Sequence, residues 1–363
     1  MKELGPMVLE RLGLHDETLK PFNDDVEAWL GHLGGDEPWL EDSENLRNRA
    51  QFVDAVRAIH DIISGAQDRA CATTPVWLQR LVEEWTQEQA LILTFNYDTL
   101  LELAFARAGK VRTEGELYRI ALDQRKSLNP PLYPSGGDTT WPSATLLKLH
   151  GSINWLHSGE DAPPTERFVL REQHISARLY EDLTPFVVPP ATSKSHYYNR
   201  TPLRVQWRRA AFALREATAI DVIGYSFPHS GAGTRTFLAT CASTSADVTL
   251  VDPAEEARSR LPDVLPSSGE GRWFKSVADF VDATCGDLVT GWCENDGEDP
   301  GLYRDVNGEK SKEPLPDGGL KTGLAEWLRR DYPDASPREI TLSASHIRAL
   351  QLYGRRAPDT IPR

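Results

Sequence analysis

Apolar and polar positions alternate along this chain in two distinct rhythms. Up to about residue 90 the apolar residues recur at helical spacing. Val26, Trp29, Leu30 and Leu33 form one such stripe, with Asn23 placed to cap it, and Phe52, Val53, Val56, Ile59, Ile62 and Ile63 form a longer one that runs to a stop at Gly65. A third helical segment, Val76 to Trp85, leads into a different pattern.

From residue 91 onward, short continuous apolar runs each end in a polar residue. They are Leu91–Phe95 into Asn96-Tyr97-Asp98, Leu146–Leu149 into His150-Gly151-Ser152, Ile220–Ile223 into Gly224-Tyr225-Ser226, and Val248–Val251 into Asp252. Short apolar runs with helical segments between them predict buried parallel strands, and such sheets bind ligands at their carboxyl ends. The expected architecture is therefore α/β: a Rossmann-like parallel sheet flanked by helices, with a helical subdomain within about residues 1–90 and a C-terminal helical extension. Asn96, His150, Ser226 and Asp252 should share one crest.

Between the runs, Thr99-Leu100-Leu101-Glu102 fits a capping box for a helix that stops at Gly109. This places Asn96 and Asp98 at a helix N-terminus, where backbone donors and the dipole suit a phosphate or a polarised carbonyl. Asp98 as a plain cap and Asn96 as a turn residue remain the alternative. Residues 110–145, with Asn129-Pro130-Pro131 and Pro134-Ser135-Gly136-Gly137, read as a long lid-like loop over the crest. Leu203 to Ala217 forms an amphipathic helix, and Thr234 to Cys241 another. Residues 1–295 are expected to form one domain and 296–363 a linker and extension, with helices near Leu324–Arg330 and Ser343–Tyr353 and a turn at Asp305-Val306-Asn307-Gly308.

Composition narrows the chemistry. A net charge of -14 over 363 residues argues against direct nucleic-acid binding, and no apolar stretch is long enough for a membrane span. No signal-peptide pattern is seen, so a cytoplasmic location is expected. Cys71, Cys241, Cys285 and Cys293 form no Cys-x-x-Cys pair and no metal-ligand spacing, so no metal is expected. Gly224-Tyr225-Ser226 is no serine nucleophile elbow, because Pro228 stands where glycine is required and His150 precedes rather than follows. A histidine and an asparagine on adjacent strand ends can instead orient a ribose and a water. Ser226 suits a phosphate or ribose, and Asp252 either the hydroxyls of an adenosine ribose or a turn before Pro253.

Thr94-Phe95-Asn96-Tyr97-Asp98, Leu149-His150-Gly151-Ser152 and Ile223-Gly224-Tyr225-Ser226-Phe227-Pro228, in that order, resemble the signatures of the sirtuin-like NAD-binding family. The likeness is closer to its divergent bacterial branch of anti-phage defence effectors than to the histone deacylases. It implies an NAD glycohydrolase that splits NAD, its substrate, into nicotinamide and ADP-ribose. On this resemblance Asn96 and His150 are catalytic, and Thr94, Asp98, Gly224, Tyr225, Ser226 and Asp252 bind NAD. The likeness further implies a homo-oligomer and a defence-system partner protein or phage trigger. NAD-dependent ADP-ribosyl transfer or deacylation, and a nucleotide-sensing module without turnover, are the competing expectations.

Two departures from the family pattern stand out. The zinc module of the deacylating members is missing, which weakens the deacylase expectation and leaves NAD hydrolysis untouched. The strand and Gly-x-Gly-x-Ser turn that hold the diphosphate in the family do not precede the first helices here. A truncated start, a loop supplied by a partner chain and a loss of NAD binding all fit this, and weak NAD binding by this form is expected.

Overall fold

The computed structural model describes residues 4–111, 113, 115–120, 122–124, 144–157, 168–171, 183–188, 198, 200–228, 232–265, 271–294, 301–313, 324–340 and 349–356. Within them the chain begins with α1 (Leu4–Leu12), a 3-10 turn (Asp16–Phe22), α2 (Val26–Gly34) and α3 (Asp42–Ala70). Their apolar stripes close on one another: Val8, Leu9, Val26, Trp29, Leu30, Leu33, Ala55 and Ile59 form a small core of their own. Two local expectations are corrected here. Asp25, not Asn23, caps α2, accepting from the Glu27 and Ala28 amides, while Asn23 takes a left-handed conformation that ends the 3-10 turn. α3 runs through Gly65 to Ala70, because a single glycine costs a packed helix only about 1 kcal/mol.

The α/β part follows: α4 (Val76–Gln87), β1 (Leu91–Thr94), α5 (Leu100–Arg107), α6 (Gly115–Tyr118), β2 (Asp123–Gln124), β3 (Thr145–Lys148), β4 (Gly151–His157), β5 (Phe168–Leu170), β6 (Thr184–Val187), α7 (Thr201–Glu216), β7 (Ala219–Ile223), α8 (Ala232–Cys241), β8 (Asp247–Val251), α9 (Glu255–Val264), β9 (Arg272–Phe274) and α10 (Val277–Thr284). All four apolar runs are strands, and their pairing is parallel as a Rossmann-like fold requires. β1 pairs with β3, Thr94 opposite Lys148, and β7 with β8, Ile223 opposite Val251. The parallel strands fall into two sheets, β1-β3 and β7-β8-β9, rather than one ladder. Leu93 packs against residues of both, so the sheets share a core. β3 and β8 are largely buried, whereas β1 and β7, each at the edge of its sheet, are half-exposed. A mostly antiparallel sheet, β2-β5-β4-β6, stands beside β3. Most of the lid-like loop, residues 125–143, lies outside the described residues.

The C-terminal region is built differently from the helical extension expected. β10 (Asp287–Glu294), β11 (Gly301–Val306), β12 (Glu309–Glu313), α11 (Leu324–Arg329), β13 (Arg338–Ile340) and β14 (Ala349–Gly354) form an antiparallel five-stranded sheet, β12-β11-β10-β14-β13, with α11 on one face. The helix at Leu324 and the turn at Asn307-Gly308 stand as expected. Residues 349–354, read as helix, are instead a strand paired with β10. Gly291 lets α11 close on the sheet, because a Cβ there would sit 2.8 Å from the Trp327 ring. Arg80, 4 % exposed, pins this region to α4 by donating from Nε to the Gly286 carbonyl at 2.8 Å.

Candidate functional site

The turn that follows β1 is the most heavily bonded stretch of the crest. The Asn96 amide donates to Thr94 Oγ1 at 3.1 Å. The Tyr97 carbonyl accepts from the Ile153 amide at 2.9 Å and from Ser152 Oγ at 3.2 Å, and the Tyr97 hydroxyl donates to the Val188 carbonyl at 2.6 Å. The Asp98 carbonyl accepts from Lys148 Nζ, and the Thr99 amide donates to Gln67 Oε1, which reaches in from α3, at 2.6 Å. Asp98 Oδ1 accepts from the Leu100 amide at 3.1 Å. Thr99 therefore stands at the N-cap position of α5 without a side-chain cap bond, and Asp98 does the capping, which corrects the capping box. These bonds hold the Asn96 and Thr99 amides and the Tyr97 and Asp98 carbonyls of the turn. The Asn96 side chain is exposed, and its amide has no hydrogen-bond partner among the described residues.

His150 stands at the same level on the neighbouring strand, two residues beyond Lys148 as Asn96 is two beyond Thr94. Its ring lies 5.1 Å from Phe95, 6.3 Å from Tyr97 and 6.3 Å from Tyr198, centroid to centroid, and its carbonyl accepts from the Val188 amide. Gly151 makes the chain reversal after it possible. It has φ +79°, and a Cβ there would fall 2.3 Å from the Phe186 carbonyl oxygen, so only glycine fits. Trp207 of α7 closes the back of the cluster, donating from Nε1 to the Leu149 carbonyl at 2.9 Å.

Phe95 also joins the two sheets, its ring 5.2 Å from that of Tyr225. Phe95 thus links the rings of His150 and Tyr225, and Asn96 is the next residue along the turn. Gly224 has φ +66° and donates its amide to the Val251 carbonyl at 2.9 Å, Ser226 is exposed, and Phe227 is fully buried. Burial raises the Tyr225 and Tyr198 phenols above their ordinary value, so neither is a base near neutral pH. Asp252 stands level with Gly224 at the end of β8. Its Oδ1 accepts from the Ala254 amide at 2.8 Å, the turn role that the sequence left open beside a ribose-binding one.

Beneath the turn lies a set of residues of which the sequence assigned a role only to Glu102, in the capping box. Lys148, 1 % exposed, places Nζ 3.2 Å from Glu102 Oε1, and Glu102 is fully buried. Glu102 Oε1 also accepts from the Tyr118 hydroxyl at 2.8 Å, and that hydroxyl accepts in turn from Asn154 Nδ2 at 3.1 Å. The signal was present: a lysine in the middle of the apolar run Leu146-Leu147-Lys148-Leu149 has to be paired if that strand is buried. A hollow of about 750 Å³ lined by Gln79, Arg107, Leu288 and Arg338 lies by the far end of α5 and includes no crest residue. Among the described residues no cluster of His, Cys, Asp or Glu is placed to hold a metal, and no described helix is long and apolar enough to cross a membrane.

Residues 90–255 match the SIR2-like domain family. That span contains β1, β3, β7, β8 and every crest residue named above, and it excludes the N-terminal helices and the C-terminal sheet. No curated protein matches the chain.

Proposed function

We propose that the chain, whose residues 90–255 match the SIR2-like domain family, is an NAD glycohydrolase. The observation that carries this reading is the turn after β1, in which six hydrogen bonds hold backbone groups, the Tyr97 hydroxyl adds a seventh, and the Asn96 side chain is left exposed, with His150 following the paired strand β3. Cleaving the bond between the nicotinamide nitrogen and the ribose anomeric carbon leaves the electron pair on nicotinamide and positive charge on the sugar. A neutral leaving group of this kind needs no acid; what lowers the barrier is a held ribose and a correctly placed water. The Asn96 amide offers an acceptor and donors to that water, and His150 accepts a proton from a ribose hydroxyl or from the attacking water. The open oxygen of Asp98 suits the nicotinamide carboxamide. Thr94, Gly224, Tyr225, Ser226 and Asp252 line the way to the phosphates and the second ribose. The branch resembled in sequence points to NAD depletion in bacterial anti-phage defence, within a cytoplasmic homo-oligomer released by a partner protein or phage trigger.

The test is NAD loss and nicotinamide release over time, with NAD binding followed by calorimetry. Asn96→Ala is expected to lower turnover by about 10²-fold with binding retained, the size of effect that removal of one positioning or charge-stabilising group produces. A second reading, a nucleotide-sensing module without turnover, is favoured by the half-exposed strands β1 and β7. NAD binding without turnover in the wild-type chain, unchanged by Asn96→Ala, would decide for it. Label from NAD fixed covalently on an acceptor would instead indicate ADP-ribosyl transfer.

A further inference from the structure

Lys148 and Glu102 form a charge pair in the interior, at 1 % and 0 % exposure, and the chemistry above makes no use of it. Such a pair is a poor way to add stability, since well-packed apolar residues of the same size commonly do as well or better. Its position suggests another purpose. The Asp98 carbonyl receives no helical amide, because the first hydrogen bond of α5, Leu103 N to Thr99 O, starts one residue later. Lys148 takes that carbonyl. The same ammonium reaches Glu102, in the first turn of α5, so one lysine spans the residue before the helix and the helix itself. Lys148 also stands two residues before His150 on β3. It therefore ties the strand that carries His150 to the turn that carries Asn96, and Tyr118 and Asn154 hold Glu102 from the other side.

We propose that the Lys148–Glu102 pair is a positioning device that sets the Asn96 turn against His150 through the Asp98 carbonyl. For its catalytic consequence this rests on the reading of Asn96 and His150 given above; for its structural part it does not. Lys148 and Glu102 are positioning residues: neither faces the crest, and both act through the backbone of residues 96–99.

The test uses the full chain with Lys148→Met and Glu102→Gln together, which removes both charges at nearly constant volume and keeps an acceptor for Tyr118. Amide hydrogen exchange is read at Asn96, Thr99 and Leu100 against β3 and β8, and NAD turnover is read alongside. The expected result is at least tenfold faster exchange in the turn, no change in β3 and β8, and kcat lowered at least thirtyfold with KM within threefold. A general loss of packing would instead speed exchange in the strands as well. Unchanged exchange in the turn of the folded double variant overturns the proposal, and so does full kcat retained by a turn that has become mobile. If the wild-type chain shows no turnover but the turn responds as expected, the positioning role stands and the glycohydrolase reading falls. Should the double variant not fold, ¹⁵N NMR of the wild-type chain decides: a protected Lys148 ammonium coupled to the Asp98 carbonyl supports the proposal, and its absence overturns it.

Discussion

After β1 the chain turns through residues 96–99 with hydrogen bonds from α3, β3 and β4 on several of its backbone groups, whereas after β7 it turns through residues 224–228 with fewer among the described residues. The second turn has the Gly224 amide on Val251, the Tyr225 hydroxyl paired with the Thr234 side chain, an exposed bond from Arg260 to the Ser226 carbonyl at 3.2 Å, and one apolar plug, Phe227, buried with φ +50°. Directional bonds fix a side chain to within fractions of an ångström, while an apolar plug fixes a segment yet leaves the groups around it room to adjust. The first arrangement suits a group that must meet a reacting atom. The second suits groups that close around the less demanding parts of a ligand. The difference teaches where in this molecule rigidity is concentrated, and it is open to direct tests.

The largest effect is expected from Lys148→Met alone. It leaves Glu102 charged, buried and facing an apolar side chain, and removal of one partner from a buried pair costs about 3–5 kcal/mol. The matching change at the second turn, Arg260→Ala, removes an exposed donor and should stay within about 0.5 kcal/mol. Thermal or denaturant unfolding of the two variants measures the gap. Equal losses would mean that the two turns are equally tied down.

The glycines sharpen the same contrast on a smaller scale. Gly151 and Gly224 both have positive φ, +79° and +66°, so alanine at either carries the left-handed penalty of about 1–2 kcal/mol. At Gly224 nothing lies within 4 Å of the added methyl, and the cost should end there. At Gly151 the methyl would meet the Phe186 carbonyl oxygen at 2.3 Å, so β6 must shift and the loss must exceed that of Gly224→Ala. Unfolding free energies of the two variants provide the comparison, and a Gly224→Ala loss as large as that of Gly151→Ala would show the second turn to be as tightly packed as the first.

The strands of the SIR2-like region were legible because each short apolar run ends in a polar residue, a pattern that needs no knowledge of partners. The helices α2, α3 and α7 were legible from periodicity for the same reason. What escaped depends on contacts distant in sequence. Thr99-x-x-Glu102 satisfies a local capping rule, yet Glu102 turns inward because Lys148, 46 positions away, needs a buried counter-charge, and Asp98 takes over the cap. Residues 349–354 form too short an apolar run for periodicity to separate helix from strand. β10 decides the matter, pairing Leu350 with Gly291 and Leu352 with Val289. The separation of β1-β3 from β7-β8-β9 was not legible either, since pairing between strands leaves no mark on single apolar runs.

The smallest predicted effect lies outside both turns and serves as their control. Asp331 follows α11, and its carboxylate accepts from Arg304 Nη1 at 2.7 Å and from Arg330 Nε at 3.3 Å. Partial burial pushes the carboxyl up, but the two arginines outweigh it and hold it below its ordinary 3.8. A carboxyl depressed in the folded state binds its proton less readily there than in the unfolded chain. Its contribution is therefore complete above the ordinary value and disappears as the pH falls through the lower folded value. Asp331→Asn should cost the C-terminal sheet about 1 kcal/mol at neutral pH and flatten its acid-side loss of stability. Hydrogen exchange of the β10 and β11 amides between neutral pH and about pH 3 reads this locally. Exchange in residues 96–100 should not respond to Asp331→Asn at any pH. A response there would mean that the C-terminal sheet is coupled to the crest, and the stiffness of the first turn would then be only partly its own.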